Sequence, residues 1–274
     1  MAYRASFACV SIDTGHSAKH IEGAPIMTIV LITVSSFVLS FIFALGGVGS
    51  SLVLIPALTW FGIPFSLARP TGLFVNAVSM ASATYSNIKE KRLDFRLGIP
   101  IIIASIIMAP VGAYIGKFIS AKITMICFIS FLIASGSMMF FNKKSTCASH
   151  YREDRPLLWP TFVGVLAGFL SGLLGVGGGG VISPLMILYG FNPKKVATVT
   201  AFSVPFSSFA AFVIYAVMGS VSWEILAFTG FGAWIGGYVG TKVMHLKLRP
   251  ETVKRFLACI LLLIAAQLLF NFSQ

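Results

Sequence analysis

Two glycine-rich runs carry the chemistry this chain is best equipped for. One reads Gly46-Gly47-Val48-Gly49-Ser50-Ser51, the other Gly175-Val176-Gly177-Gly178-Gly179-Gly180. Consecutive glycines disfavour a helix by about 1 kcal/mol each relative to alanine, so each run should break the backbone. A helix that begins at such a break presents N–H groups with no intrahelical partner, and its dipole adds partial positive charge. Together these attract an anion. Gly47, Gly49, Gly177, Gly178 and Gly179 are therefore candidate substrate-binding positions through their backbone. Ser50 and Ser51 would add hydroxyl donors in the first run, where the second has only Gly178 and Gly179. The competing reading is that these glycines simply allow close helix packing.

A polar-dotted segment follows each run. The first runs from Ala68-Arg69-Pro70-Thr71 to Asn76, the second from Ala197-Thr198-Val199-Thr200 to Ser203. On helices, positions 72, 76 and 79 share a face, as do 200, 203 and 207. Thr71, Asn76, Thr200 and Ser203 are candidate solute contacts. Serine and threonine in a membrane helix more often bond their own backbone. Asn76 is the stronger candidate, because an amide in apolar surroundings needs a partner. Arg69 is the only charged residue between Gly23 and Ile88. It reads as a side chain that snorkels to an interface, with a place in an anion vestibule as the alternative.

The elements that must hold these groups are membrane helices. Of 274 residues, 57% are hydrophobic and 10% charged. A soluble domain carries about 25% charged residues, enough to cover a wet surface. Mean hydropathy is +0.92. Eight windows from Gly23 onward lack Asp, Glu, Lys and Arg. Six fit one crossing each of about 20 residues. Windows 23–68 and 156–193 are too long and need a break or a return. The net charge of +12 sits in short loops, as the positive-inside rule expects, and does not indicate a nucleic-acid partner. The four cysteines have no paired spacing, so neither a disulfide framework nor a zinc site is expected.

Shifting the sequence by 128 aligns two halves. Leu45, Gly47, Gly49, Pro56, Gly62, Phe74 and Ala83 meet Leu173, Gly175, Gly177, Pro184, Gly190, Phe202 and Ala211. Farther on, Gly112-Ala-Tyr-Ile-Gly116 matches Gly236-Gly-Tyr-Val-Gly240 at a shift of 124. The expected fold is an all-α integral membrane protein of two homologous four-segment halves. Each half opens with a glycine-broken helix or re-entrant hairpin. The expected division is 1–25 as a disordered extension, 26–141 as the first membrane repeat, 142–156 as a polar linker and 157–271 as the second repeat. Basic residues mark loop 89–96 in the first half, but Lys194, Lys195, Lys242, Lys247 and Arg249 in the second. A bias that switches loops fits halves of inverted topology. Eight plain crossings with parallel repeats is the competing arrangement.

No carboxylate lies deep in a crossing, whereas proton and cation pumps usually need one. The histidines fall outside the apolar cores, no His-Glu-x-x-His motif occurs, and Ser171 has no histidine placed to meet it. Neither catalytic residues nor a metal or other cofactor is expected; the solute should be an anion or neutral.

The stretch Gly168-Phe-Leu-Ser-Gly-Leu-Leu-Gly-Val-Gly-Gly-Gly-Gly-Val-Ile-Ser-Pro184 resembles the opening motif of the TauE/SafE sulfite exporter family, also called TSUP permeases. Phe43 to Pro56 repeats it in weaker form. Ala68-Arg-Pro-Thr71 and Ala197-Thr-Val-Thr200 are similar to that family's A-x-x-T region. The resemblance implies a bacterial inner-membrane permease for a small sulfur-containing anion such as sulfite, thiosulfate or an organosulfonate. Ser50 and Ser51 stand where family members often keep glycine, which puts substrate preference in question. The expected function is an anion transporter working by alternating access of two repeats. An anion channel with a fixed pore is the alternative, and a membrane-embedded enzyme or assembly factor a more distant one.

Overall fold

The computed structural model describes residues 26–45, 47, 49–60, 65–116, 118–119, 121–141, 158–175, 177–218, 221 and 223–273. The extension at 1–25 and the linker at 142–156 lie outside them. Among the described residues there are ten helices: α1 (Ile26–Ala44), α2 (Ser51–Trp60), α3 (Phe65–Lys89), α4 (Phe95–Ile115), α5 (Ala121–Phe141), α6 (Leu158–Leu174), α7 (Gly179–Leu188), α8 (Pro193–Met218), α9 (Trp223–Lys247) and α10 (Pro250–Ser273). The described residues form no strand, and α4, Pro193–Val217 and Glu251–Phe270 are long and apolar enough to cross a bilayer. Ile99, Ile103, Ile107 and Val111, spaced by four along α4, all face outward. Such a stripe suits lipid rather than water.

Each long window resolves into a long helix, a glycine break and a short helix of 10 residues. Each half thus opens with a glycine-broken helix, and three further helices follow it, so its four segments comprise five helices. Charge windows also misplace one boundary. They end the first window at Ala68, yet α3 already starts at Phe65 and carries Arg69 in its second turn. A single charge does not end a helix when its side chain finds a place inside the bundle.

Glycines set the packing between helices. Gly164, Gly168 and Gly172 on α6 abut Ile101, Ser105 and Ala109 on α4. Both sets of numbers rise together, so α4 and α6 run parallel. Likewise Gly232, Gly236 and Gly240 on α9 abut Thr33, Phe37 and Phe41 on α1. A Cβ at any of these six would meet neighbouring backbone, so only glycine lets the axes approach this closely. The central pair, α3 and α8, runs antiparallel: Asn76 meets Ser208, while Thr84, farther along α3, meets Ala201.

Proline supplies another interhelical tie. Pro205 has no N–H, so the Ala201 carbonyl loses its ordinary partner on α8. Thr84 Oγ1 on α3 donates to that carbonyl at 2.6 Å. At membrane depth, freed backbone groups must be satisfied within the protein.

One end of the bundle is basic. There the α3–α4 turn, the start of α8 and the end of α9 converge around Arg92, Lys194, Lys195 and His245. Asp94 caps α4 by accepting from the Leu97 amide at 3.3 Å, and its Oδ2 lies 2.7 Å from Lys195 Nζ. Burial alone would raise the Asp94 pKa. The Lys195 hydrogen bond and charge outweigh it, with the backbone amides, and hold the carboxyl below its ordinary value.

Candidate functional site

Asn76 occupies the middle of α3, where α3 crosses α8. Its Nδ2 donates to Ser208 Oγ at 2.9 Å, and both residues are fully buried. Glycines from both breaks close on this one amide. Gly49 (φ 89) faces Oδ1 and Gly177 (φ 77) faces Nδ2, each so tightly that a Cβ would overlap it. Positive φ costs an L-residue about 1–2 kcal/mol. Glycine is thus demanded twice at each position, by backbone shape and by the approach of Asn76. Gly178, one residue on, has φ −72. A Cβ there would come no nearer than 3.4 Å to Ser207 Oγ.

The short helices lead away from this point. On α7 the Val181 and Ile182 amides bond the Gly178 carbonyl at 3.1 and 3.0 Å. The N–H groups of Gly179 and Gly180 precede that first rung and have no intrahelical acceptor. On α2 the Val53 and Leu54 amides bond the Ser50 carbonyl at 3.3 and 3.0 Å. Ser50 and Ser51 are buried, and Ser50 Oγ accepts from Ser40 Oγ at 3.2 Å.

Among the described residues, the buried polar atoms without a partner include Asn76 Oδ1 at this crossing, Ser79 Oγ farther along α3 and Ser203 Oγ farther back on α8. Leaving a buried polar atom unsatisfied costs about 1–3 kcal/mol, so such atoms mark where solvent or solute belongs. Ser203 and Ser207 lie four apart on α8 and share a face, with Ser207 toward Gly178.

The other candidate residues are placed differently. Gly47 (φ 67) packs on Ala197 rather than on Asn76. Thr71 Oγ1 donates to the Leu67 carbonyl of its own helix at 2.8 Å. Thr200 Oγ1 lies 3.3 Å from Ser183 Oγ, tying α8 to α7. Arg69 does not snorkel outward. Its stem packs on Gly175, and its guanidinium carbon stands 5.7 Å from the centroid of the Tyr215 ring, within reach of a cation–π attraction. Tyr215 Oη in turn donates to the Gly172 carbonyl at 3.0 Å, a group set free because α6 stops at Leu174. The break, the arginine and the tyrosine therefore form one unit.

A family model described as Sulfite exporter TauE/SafE matches residues 32–268. The chain belongs to the TauE/SafE sulfite exporter family. It is 27% identical over 270 residues to the probable membrane transporter protein YunE of Bacillus subtilis, covering 89% of this chain and 98% of that one. It is likewise 27% identical over 248 residues to a probable membrane transporter protein of Methanocaldococcus jannaschii, covering 84% and 91%. A shorter match, 36% over 83 residues, is to the sulfite exporter TauE/SafE family protein 6 of Arabidopsis thaliana, covering 30% of this chain and 19% of that one. This TauE/SafE protein is thus a multi-pass membrane transporter, working on a small solute within lipid.

Sequence reasoning left Ser208 and Tyr215 out of the site. Ser208 sits among several serines on its helix, and nothing local says which of them meets Asn76, 132 positions away. Tyr215 lies in an ordinary apolar run. A signal did exist for it: a helix broken after Leu174 leaves carbonyls that need a buried donor.

Proposed function

We propose that this TauE/SafE protein is an alternating-access permease for a small sulfur-containing oxyanion, held where the two glycine breaks converge on Asn76. The observation that carries this reading is the joint approach of Gly49 and Gly177 to one buried amide. The first-turn N–H groups of α7 and the hydroxyls of Ser50 and Ser51 would hold the oxyanion, with Ser203 and Asn76 completing its shell. Helix N-termini meeting at mid-membrane are the arrangement by which broken-helix transporters bind anionic groups. Sulfur chemistry enters through the names of the family and of the Arabidopsis relative. Arg69, against the second break, would stand at the anion's way in or out.

The two halves form an inverted repeat in this proposal. Several contacts support it by recurring at a constant shift of 128. Gly47 on Ala197 matches Gly175 on Arg69, and Gly112 on Phe169 matches Gly240 on Phe41. These contacts favour 128 throughout, rather than the slip to 124 suggested by letter matching. Antiparallel α3 and α8, which occupy equivalent places, support inversion over parallel repeats. Gathering of the basic residues at one end favours that end as the cytoplasmic side of a bacterial inner membrane.

Flux into proteoliposomes tests the reading. Radiolabelled sulfite, thiosulfate and a sulfonate would be compared with chloride and a neutral amino acid. The expected result is saturable uptake of one sulfur anion, reduced at least about tenfold in Asn76→Ala. Flux that does not saturate would favour a fixed-pore channel. No flux of any of these solutes, from protein shown to be folded, would refute the oxyanion reading.

A further inference from the structure

The basic end holds a second polar site, separate from Asn76. A cleft of about 480 Å³ opens there, lined by Arg92, Asp94, Lys194, Lys195, Thr198 and His245. Three cations face one carboxylate, and that carboxylate is already engaged by Lys195 at 2.7 Å. Lys194 Nζ spends one proton on the His245 carbonyl at 3.2 Å and keeps two more. Arg92 has a loose contact with Glu90, at 3.7 Å between Nη2 and Oε2, outside hydrogen-bond range. Its other terminal nitrogen, Nη1, is buried without a hydrogen-bond partner. A guanidinium nitrogen in that position lacks the acceptor its chemistry calls for.

Thr198 forms the floor. Its hydroxyl donates to the Lys194 carbonyl at 3.0 Å and lies 3.3 Å from His245 Nε2. Thr200 and Ser203 follow Thr198 on α8 within about one and a half helical turns. The cleft therefore stands over the helix that carries half of the central site. A basic rim alone is ordinary at a membrane surface. What sets this one apart is a convergent donor set: a guanidinium with an unspent buried N–H, an ammonium on the facing helix, and an acid already neutralised by Lys195.

We propose that this cleft binds an oxyanion through Arg92 and Lys194, as an entry subsite above the central one. Arginine suits the task because its planar fork matches the oxygens of sulfur and phosphorus oxyanions. The chemistry is shared by two sources, a free solute anion and the phosphate of an anionic lipid headgroup. Its role in transport rests on the permease reading above; binding itself does not.

The experiment uses the full-length purified protein with radiolabelled sulfate as the probe, in lipid-free detergent and in nanodiscs. Wild-type protein should bind sulfate saturably in detergent. Arg92→Gln and Lys194→Gln, on different elements, should each weaken binding by about tenfold or more, while Arg92→Lys, which keeps the charge, should recover part of it. Nanodiscs of phosphatidylcholine with and without phosphatidylglycerol separate the sources. Competition by phosphatidylglycerol that disappears in Arg92→Gln assigns the cleft to headgroup phosphate, and its absence assigns it to free solute. In proteoliposomes, Arg92→Gln should raise the half-saturating solute concentration from the basic side alone. Wild-type affinity for sulfate in both glutamine variants would overturn the cleft even if flux is normal. Arginine-dependent binding with no flux in the wild type would instead sink the permease reading and leave the cleft standing.

Discussion

Replacing Gly177 by alanine isolates the geometry on which the central site depends. The residue has φ 77, a conformation that costs an L-residue about 1–2 kcal/mol. The new methyl would also overlap Asn76 Nδ2 and come within 3.1 Å of Ser208 Oγ. The amide must then swing away and lose its 2.9 Å bond to Ser208, worth about 1 kcal/mol. Together these amount to about 2–3 kcal/mol, or roughly 30- to 150-fold in affinity if borne at the site. Gly178→Ala is the matched comparison, since it has φ −72 and meets only ordinary contacts. Initial uptake rates in proteoliposomes across a solute series would measure both variants, with thermal unfolding in detergent as the check on folding. Gly177→Ala should lose most saturable uptake, and Gly178→Ala far less. Equal uptake by the two, from protein equally stable, would refute the idea that Gly177 shapes a solute site around Asn76.

Other expectations follow from single contacts. Thr84→Val removes the donor to the Ala201 carbonyl opposite Pro205 and should cost about 1–3 kcal/mol in thermal stability. Pro205→Ala restores an N–H for that carbonyl, so the double variant should be less destabilised than the two single losses add up to, as read from a double-mutant cycle of unfolding. Tyr215→Phe leaves the Gly172 carbonyl without its hydroxyl donor and should lower stability by a similar amount. The ring that faces Arg69 remains, so a loss of uptake beyond the loss of folded protein would place Tyr215 in the solute path. The Asp94 pKa is depressed in the folded state. Its contribution is therefore fully present above the ordinary carboxylate value and fades as pH falls through the lower folded one. Unfolding followed against pH should show that acid-side loss in the wild type and a smaller one in Asp94→Asn.

Much of the fold was legible because lipid imposes blunt rules. Charge-free windows marked the helices, and glycine runs marked the breaks after α1 and α6. That Asn76 needs a buried partner was legible, because an amide has few tolerable fates in an apolar helix, and it finds Ser208. Arg69 was misjudged. A lone cation usually reaches for water, and its inward course depends on Gly175 and Tyr215, which the local sequence does not bring near. Helix directions were equally hidden. Parallel α4 and α6 follow from Gly164, Gly168 and Gly172 seating on Ile101, Ser105 and Ala109. Each of those glycines, read alone, is compatible with any neighbour. The start of α3 was missed because a charge was counted as a boundary.

The parallel pairing of α1 with α9 also has a consequence for the order in which the molecule is made. Gly232, Gly236 and Gly240 fit against Thr33, Phe37 and Phe41, yet some 200 residues separate the partners. A ribosome working at about 5–20 residues per second takes roughly 10–40 s to supply them. Until then α1 sits in the bilayer with its packing face uncovered, held by lipid or by the insertion machinery. An early helix is thus among the last to be locked. Shortening the chain before α9 should leave it the segment most open to proteolysis or to pairing with another copy.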